Sequence, residues 1–188
     1  MGNKKIDESA NVLFKRAEED VCNVNALLKD RDVPEEYNYR HICYNITQAV
    51  EKFLKGYIVN NDTEVNMSHD LDYVCNVAMS VHNDFKKLKR ECILLNNYVP
   101  GIRYNDRFNI EKHEVNEVLK SLNKIYNFPQ IAVLREEFAK QEDYRRIPEF
   151  DFIKISDEQK IAISEYKKSQ ENNFKFNKDE CYDRKLSN

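Results

Sequence analysis

The chain has 188 residues, of which 34% are charged and 41% are hydrophobic, and it contains only three glycines and four prolines. This size and balance fit one domain, or one domain with a tail, and favour helix over sheet. The formal net charge is -3, with acidic and basic residues well mixed, so bulk charge gives no indication of a strongly basic nucleic-acid-binding protein.

The sequence offers no apolar run long enough for a signal peptide or a membrane span, so we expect a cytoplasmic protein with no membrane partner. Its cysteines form no CxxC pair, and the first four lie within helical patterns. We interpret them as small buried hydrophobic residues in a reducing cytosol. The cysteines are Cys22, Cys43, Cys75, Cys92 and Cys181.

Apolar residues at helical spacing predict five helices after a polar leader at residues 1–8. Ser9 is a candidate N-cap of the first helix and Ser68 of the third, while Pro34 and Pro100-Gly101 end helices. The predicted helices cover residues 9–29, 36–59, 71–83, 85–98 and 110–126.

The second predicted helix has the widest apolar stripe, which needs more than one neighbouring helix to cover it. We therefore expect this helix to be the centre of an all-α fold, an antiparallel four-helix up-down bundle with a shorter fifth helix, over residues 9–127. The stripe consists of Ile42, Ile46, Ala49, Val50, Phe53, Tyr57 and Ile58.

Residues 128–188 form a different region, with too few apolar residues for a core of its own. Helices are predicted over about 130–140 and 159–169, and the polar end is expected to be mobile. Between the two helices, the alternation of Phe150, Phe152 and Ile155 leaves a short strand as an alternative. We expect this partly helical C-terminal extension to lie over the bundle or to contact a partner.

Three blocks of sequence resemble the HEPN family of small prokaryotic helical domains. The first is CYNITQAVEKFLKG at residues 43–56, where that family typically has C-F-x-x-Q-Q-A-x-E-K-x-L-K-A. The second is SHDL at residues 68–71, and the third is YVPGIRYND at residues 98–106, where many members have Y-x-P-x-R-Y-P-D. The order and spacing of the blocks are similar to those of the family, and the resemblance covers about residues 9–127.

The resemblance implies a bundle that forms a homodimer and acts beside a nucleotide or RNA. Family members are often encoded with a small nucleotidyltransferase, as toxin–antitoxin or defence pairs, so a nucleotidyltransferase is an expected partner. The resemblance implies no cofactor, and no closely spaced His and Cys set in the sequence suggests a metal.

Arg107 and His113 are the candidate catalytic pair. Ribonucleases of the family carry an Arg, then four to six intervening residues, then a His, where the arginine steadies the scissile phosphate and the histidine transfers a proton. Here Phe108 follows the arginine, where the family usually has a polar residue. Two solvated surface residues are the simpler interpretation of the pair.

Candidate phosphate-binding residues lie in or beside the three blocks, and each has a structural alternative. Arg103 could bind a phosphate or pin the turn after helix four. Lys52 and Lys55 could contact a phosphate or form a solvated helix face. Arg40, among tyrosines, suits base stacking or a dimer interface, and His69 could face a pocket or bond locally at a helix start.

Three functions remain as hypotheses. The first is a HEPN-type dimeric binding module for a nucleotide, RNA or a nucleotidyltransferase-type partner, without catalysis of its own. The second is a metal-independent endoribonuclease toxin that uses Arg107 and His113. The third is a structural protein-interaction domain whose C-terminal extension supplies the docking surface.

Overall fold

The computed structural model describes residues 9–98, 109–140 and 150–186, with side chains described as far as residue 171. These residues form seven α-helices and one 3-10 segment, and no strand occurs among them. The all-α fold class is therefore confirmed. The helices are α1 Ala10–Lys29, α2 Glu35–Asn60, α3 Leu71–Val81, α4 Lys89–Asn96, α5 Lys112–Tyr126, α6 Pro129–Phe138 and α7 Asp157–Leu186, and the 3-10 segment is Asn83–Leu88.

Helix α2 is the centre of the bundle, as the apolar stripe predicts. All seven residues of the stripe are buried, and α2 contacts α1, α3, α4, α5 and α6. Helix α1 runs antiparallel to it, because Asn38 near the start of α2 donates to the Leu27 carbonyl while Gly56 near its end lies against Phe14. Among the described elements, the contact between α1 and α2 is the most extensive one between any two helices.

The region between α3 and α4 differs in detail from the predicted helices. Helix α3 ends at Val81, and His82 has an extended backbone, so the residues before Lys89 form a separate 3-10 segment. The N-cap of α3 is Asp70, whose carboxylate accepts from the backbone N–H groups of Asp72 and Tyr73. Ser68, the predicted cap, instead accepts from the backbone N–H of Asp70, so Asp70 is free to cap the helix.

The main core continues past residue 127, where the sequence suggested the end of the bundle. Ile131, Leu134 and Phe138 of α6 belong to this core, and so does Phe150. The segment from Phe150 to Ser156 is a turn followed by irregular backbone, so the alternative of a strand is wrong. Helix α7 continues to Leu186, well beyond the predicted end near residue 169.

A buried polar contact joins α1, α5 and α6. The Arg135 guanidinium donates to Glu18, lies 3.3 Å from the centre of the Tyr126 ring, and contacts the Tyr126 hydroxyl. That hydroxyl donates to the other Glu18 oxygen at 3.0 Å. Burial raises the pKa of Glu18, and Arg135 and Tyr126 offset part of this effect. The contact ties α6 to the bundle.

The raised pKa of Glu18 predicts a pH effect on stability. The folded state holds a proton at Glu18 more tightly than the unfolded chain, so this contribution is fully present below the ordinary value of 4.5 and is lost as the pH rises through the folded pKa. Glu18→Gln cannot titrate and should show a weaker decline in unfolding free energy above pH 4.5. Urea unfolding of both proteins between pH 4.5 and neutrality measures this difference, and identical profiles would contradict it.

Candidate functional site

Three charged or titratable side chains meet between α2 and the segment that precedes α3. Lys55 Nζ donates to Glu51 Oε1 at 2.7 Å, and His69 Nδ1 lies 3.0 Å from each Glu51 oxygen. Glu51 and Lys55 are 5% and 4% exposed, whereas the His69 side chain is 49% exposed. We call these three residues the Glu51 cluster. It combines a buried ion pair with a histidine at the surface.

Local structure places each member of the cluster. Glu51 and Lys55 are one turn apart on α2, a spacing that brings the two side chains together on one face of the helix. His69 immediately precedes Asp70, the N-cap of α3. The Asn96 side chain holds this cap by donating to the Asp70 carboxylate and accepting from the backbone N–H of Leu71.

The geometry fixes which nitrogen of His69 carries a proton. A carboxylate oxygen only accepts hydrogen bonds, so Nδ1 of His69 must donate to Glu51. Nε2 is then the ring nitrogen that remains for another partner. Lys55 has three N–H donors, and Glu51 is its one hydrogen-bond partner in the described part of the chain.

A second ion pair lies beside the Glu51 cluster. Lys52 Nζ contacts Asp20 on α1, and the two side chains are 23% and 16% exposed. Burial raises the pKa of Asp20, Lys52 acts to lower it, and the nearby Glu51 adds to the rise. One turn before, the Gln48 side chain has a buried Nε2 that finds no acceptor among the described residues.

Of the candidate phosphate-binding residues, the structure therefore brings Lys55 and His69 together at Glu51, whereas Lys52 pairs with Asp20 on α1. Arg40 lies elsewhere on α2, about 18 Å from Lys52 along the axis at 1.5 Å per residue. It is half-buried and takes part in an interaction of its own. Arg103 lies outside the described residues.

The structure describes only one member of the candidate catalytic pair. His113 lies in the first turn of α5, where its side chain is 72% exposed and its Nδ1 is 3.1 Å from Glu111. Arg107 lies outside the described residues. The pair therefore stays a prediction.

Asp20, Gln48 and Glu51 were not among the candidate site residues that the sequence suggested. The spacing of Gln48 from Lys52, and of Glu51 from Lys55, was a local signal for a shared helix face. The positions of Asp20 next to Lys52 and of His69 next to Glu51 depend on contacts between elements that are distant in sequence, and no local spacing reveals such contacts.

Two of the four basic residues at positions 86–90, before and within α4, pair with carboxylates. Lys87 pairs with Asp84 at 2.9 Å and Lys89 with Asp72 at 2.6 Å. Lys124 of α5 pairs with Glu91 at 2.8 Å across a shallow cavity of about 180 Å³ between the two helices. This surface supports a nucleic-acid interface less well than its lysine count suggests.

Two features are absent from the described residues. No group of three or more His, Cys, Asp or Glu side chains there is arranged to hold a metal ion. Within the same residues, no helix combines the length and the apolar character needed to cross a bilayer.

The bundle and its buried charged cluster define a small all-α domain with a central amphipathic helix. The sequence model of the HEPN domain matches residues 10–132. The chain therefore belongs to the HEPN domain family, which confirms the resemblance seen in the sequence and associates the chain with nucleotide- or RNA-related modules. No curated protein and no solved structure matches the chain.

Proposed function

We propose that the chain is a HEPN binding module that recognises a phosphate-bearing ligand, a nucleotide or RNA, at the Glu51 cluster together with Lys52. We also propose that it works as a homodimer, that it has no catalytic activity of its own, and that a nucleotidyltransferase-type protein is its partner. The observation that supports the proposal is the convergence of Lys55 and His69 on the buried Glu51 carboxylate, with the ion pair of Lys52 and Asp20 on the adjacent position of α2.

The energetic cost of this arrangement supports a role in binding. Buried ion pairs pay a large desolvation penalty and often stabilise a fold no better than apolar side chains of similar volume. The unpartnered Gln48 amide is a donor, Lys52 offers donors at the surface, and so does the imidazolium form of His69 through Nε2, which is the chemistry that binds a phosphate.

Binding of a fluorescent ATP analogue and of a short fluorescent single-stranded RNA, followed by anisotropy, tests this site. We expect His69→Ala and Lys52→Ala each to weaken binding about tenfold, the effect of losing one charge-assisted hydrogen bond. His41→Ala is the matched control, because His41 is an exposed histidine on the same helix as Lys52. Equal affinity for all four proteins, or no binding of either probe, would refute the site.

An RNA cleavage assay separates this proposal from the endoribonuclease hypothesis. Purified protein should leave a mixed RNA pool intact at concentrations where sedimentation shows a dimer. Cleavage that disappears in His113→Ala would overturn the non-catalytic proposal and establish Arg107 and His113 as the active pair. A protein that binds no nucleotide or RNA but captures a nucleotidyltransferase would favour the protein-interaction hypothesis.

A further inference from the structure

A cavity of about 490 Å³ lies between the 3-10 segment, the start of α6 and the first half of α7. It shares no residue with the Glu51 cluster. Helix α7 lies outside residues 10–132, the part of the chain that the HEPN domain model matches. One wall of the cavity therefore belongs to the C-terminal extension of this chain.

Helix α7 contributes one of its faces to this cavity. Ile163 packs beside Ala132 and Val133 of α6, and Tyr166 packs against the same small apolar cluster. This cluster holds α7 against α6, so the cavity has a fixed wall. The lining residues of α7 are three or four positions apart, as one face of a helix requires, and they are Ala162, Glu165, Tyr166, Ser169 and Gln170.

Contacts in the opposite wall fix the orientation of the Gln130 amide. The backbone N–H of Asp84 donates to His82 Nδ1 at 3.3 Å, so this nitrogen is an acceptor. Gln130 Nε2 lies 3.2 Å from the same nitrogen and must therefore donate to it. The amide is held with its NH₂ group towards the histidine.

This orientation leaves the Gln130 carbonyl without a partner. The residue lines the cavity and is only 1% exposed, and its Oε1 makes no hydrogen bond within the described part of the chain. Buried polar side-chain atoms have a hydrogen-bond partner in the great majority of cases. The wall of the cavity therefore contains an acceptor that suits an N–H donor of a ligand.

The charged groups of the lining make the cavity acidic. Asp84 and Glu165 contribute carboxylates, and Lys87 contributes an ammonium group. Lys87 Nζ lies 2.9 Å from the Asp84 carboxylate, so these two charges offset each other. Glu165 is exposed and forms no ion pair within the described residues. Its charge is uncompensated, which favours a cationic ligand over an anionic one.

An unpartnered carbonyl, an uncompensated carboxylate and an aromatic ring together match a guanidinium group. This group is planar, donates N–H bonds to several acceptors at once, and packs its face on aromatic rings. It is also more weakly hydrated than an ammonium group, so its transfer from water costs less. Tyr166 supplies the ring, which meets the His82 ring edge to face with centroids 6.2 Å apart. Phe128 adds apolar surface for an alkyl chain.

We propose that this cavity binds an alkylguanidinium group, with the Gln130 carbonyl and the Glu165 carboxylate accepting from its N–H groups and the Tyr166 ring packing on its face. Small free guanidines and the arginine side chains of proteins both carry this group. The site is independent of the phosphate site at the Glu51 cluster, because its ligand has the opposite charge.

Isothermal titration of the full chain with butylguanidine, butylurea and butylamine tests the choice of ligand. Butylurea resembles butylguanidine in shape but has no charge and one N–H group fewer to donate. We therefore expect butylguanidine to bind about tenfold more tightly than butylurea, and more tightly than the non-planar butylamine. No binding of butylguanidine, or equal affinity for butylguanidine and butylurea, would overturn the proposal.

Glu165→Gln tests the position of the ligand without disturbing the core, because Glu165 is exposed. Loss of this charge should weaken butylguanidine binding about threefold, as expected for a solvent-exposed ion pair, and leave butylurea unchanged. Glu158→Gln is the matched control, since Glu158 is an exposed glutamate of α7 that does not line the cavity. Equal effects of the two variants on butylguanidine would contradict the site.

Gln130→Met tests the buried acceptor. The methionine keeps the length of the side chain and removes the amide oxygen, so butylguanidine should bind about tenfold more weakly. Because the change also removes the hydrogen bond to His82, thermal melting establishes that the variant is folded. A folded Gln130→Met protein that binds butylguanidine as tightly as the unsubstituted protein would show that the carbonyl takes no part.

Titration with agmatine and with Nα-acetyl-arginine amide distinguishes the two sources of the guanidinium group. Agmatine is a small free guanidine, whereas the blocked arginine resembles an arginine within a protein chain. Tighter binding of agmatine would support the site and identify a small molecule as its ligand. Tighter binding of the blocked arginine would support the site and identify an arginine side chain of a partner protein.

Discussion

Replacing Gly56 with alanine should lower the free energy of unfolding by about 2 kcal/mol, although the same change on an exposed helix surface raises it by about 1 kcal/mol. A Cβ atom at this position would lie 2.5 Å and 2.7 Å from Cδ2 and Cε2 of Phe14. The Phe14 ring has no room to move away, because Phe53 and Phe138 pack against it edge to face with centroids 5.4 Å and 5.2 Å distant.

Urea unfolding of Gly56→Ala, Phe14→Leu and the double variant measures this contact. Phe14→Leu is destabilising by itself because it leaves a gap in the core. The added methyl group partly fills that gap, so the double variant should be more stable than the sum of the single effects implies. The prediction is contradicted if Gly56→Ala is as stable as the unsubstituted protein, or if the destabilisation of the double variant equals the sum of the two single effects. Either result would show that α1 and α2 separate easily at this position.

The main helices could be predicted because the residues that specify them lie close together in the sequence. The stripe of α2 repeats every three or four residues over almost five turns, and no competing pattern interrupts it. Helix α2 was predicted at residues 36–59 and is observed at Glu35–Asn60. Proline breaks are equally local, and Pro34 precedes the first residue of α2.

The 3-10 segment that follows His82 and the role of α6 could not be predicted in the same way. The sequence around His82 contains no glycine or proline, so only the contacts of the histidine ring with Asp84 and Gln130 explain the change of direction. Helix α6 is short and would not be stable alone. It belongs to the core because Phe138 reaches Phe14 on α1, far away in sequence.

The candidate site has one part that the local sequence predicts and another that depends on contacts between distant residues. Lys52 and Lys55 were suggested by the sequence, but their partners decide what they can do. Asp20 and Glu51 neutralise much of their charge, so the cluster suits one well-oriented phosphate better than an extended polyanion. The preference for one phosphate over a polyanion depends on which carboxylate each lysine contacts, and amino-acid composition could not predict these contacts.

Removing the buried lysine should be costly for stability. In Lys55→Met, the Glu51 carboxylate stays in a site that is 5% exposed and loses its 2.7 Å partner. Breaking one side of a buried ion pair typically costs 3–5 kcal/mol, so we expect a loss of about 3 kcal/mol in unfolding free energy by urea denaturation. The exposed pair of Lys120 and Glu117 provides the control, and Lys120→Met should cost less than about 1 kcal/mol.

The double variant Glu51→Leu/Lys55→Met separates stability from binding. With both charges gone, no buried carboxylate is left unpaired, and the variant should regain most of the stability that Lys55→Met loses. It should still fail to bind the fluorescent ATP analogue, because His69 has lost the carboxylate that orients its ring and Lys55 is absent. A double variant that is stable and binds normally would show that the cluster is a structural ion pair only. A stable variant that no longer binds would mean that α2 keeps this ion pair for its ligand.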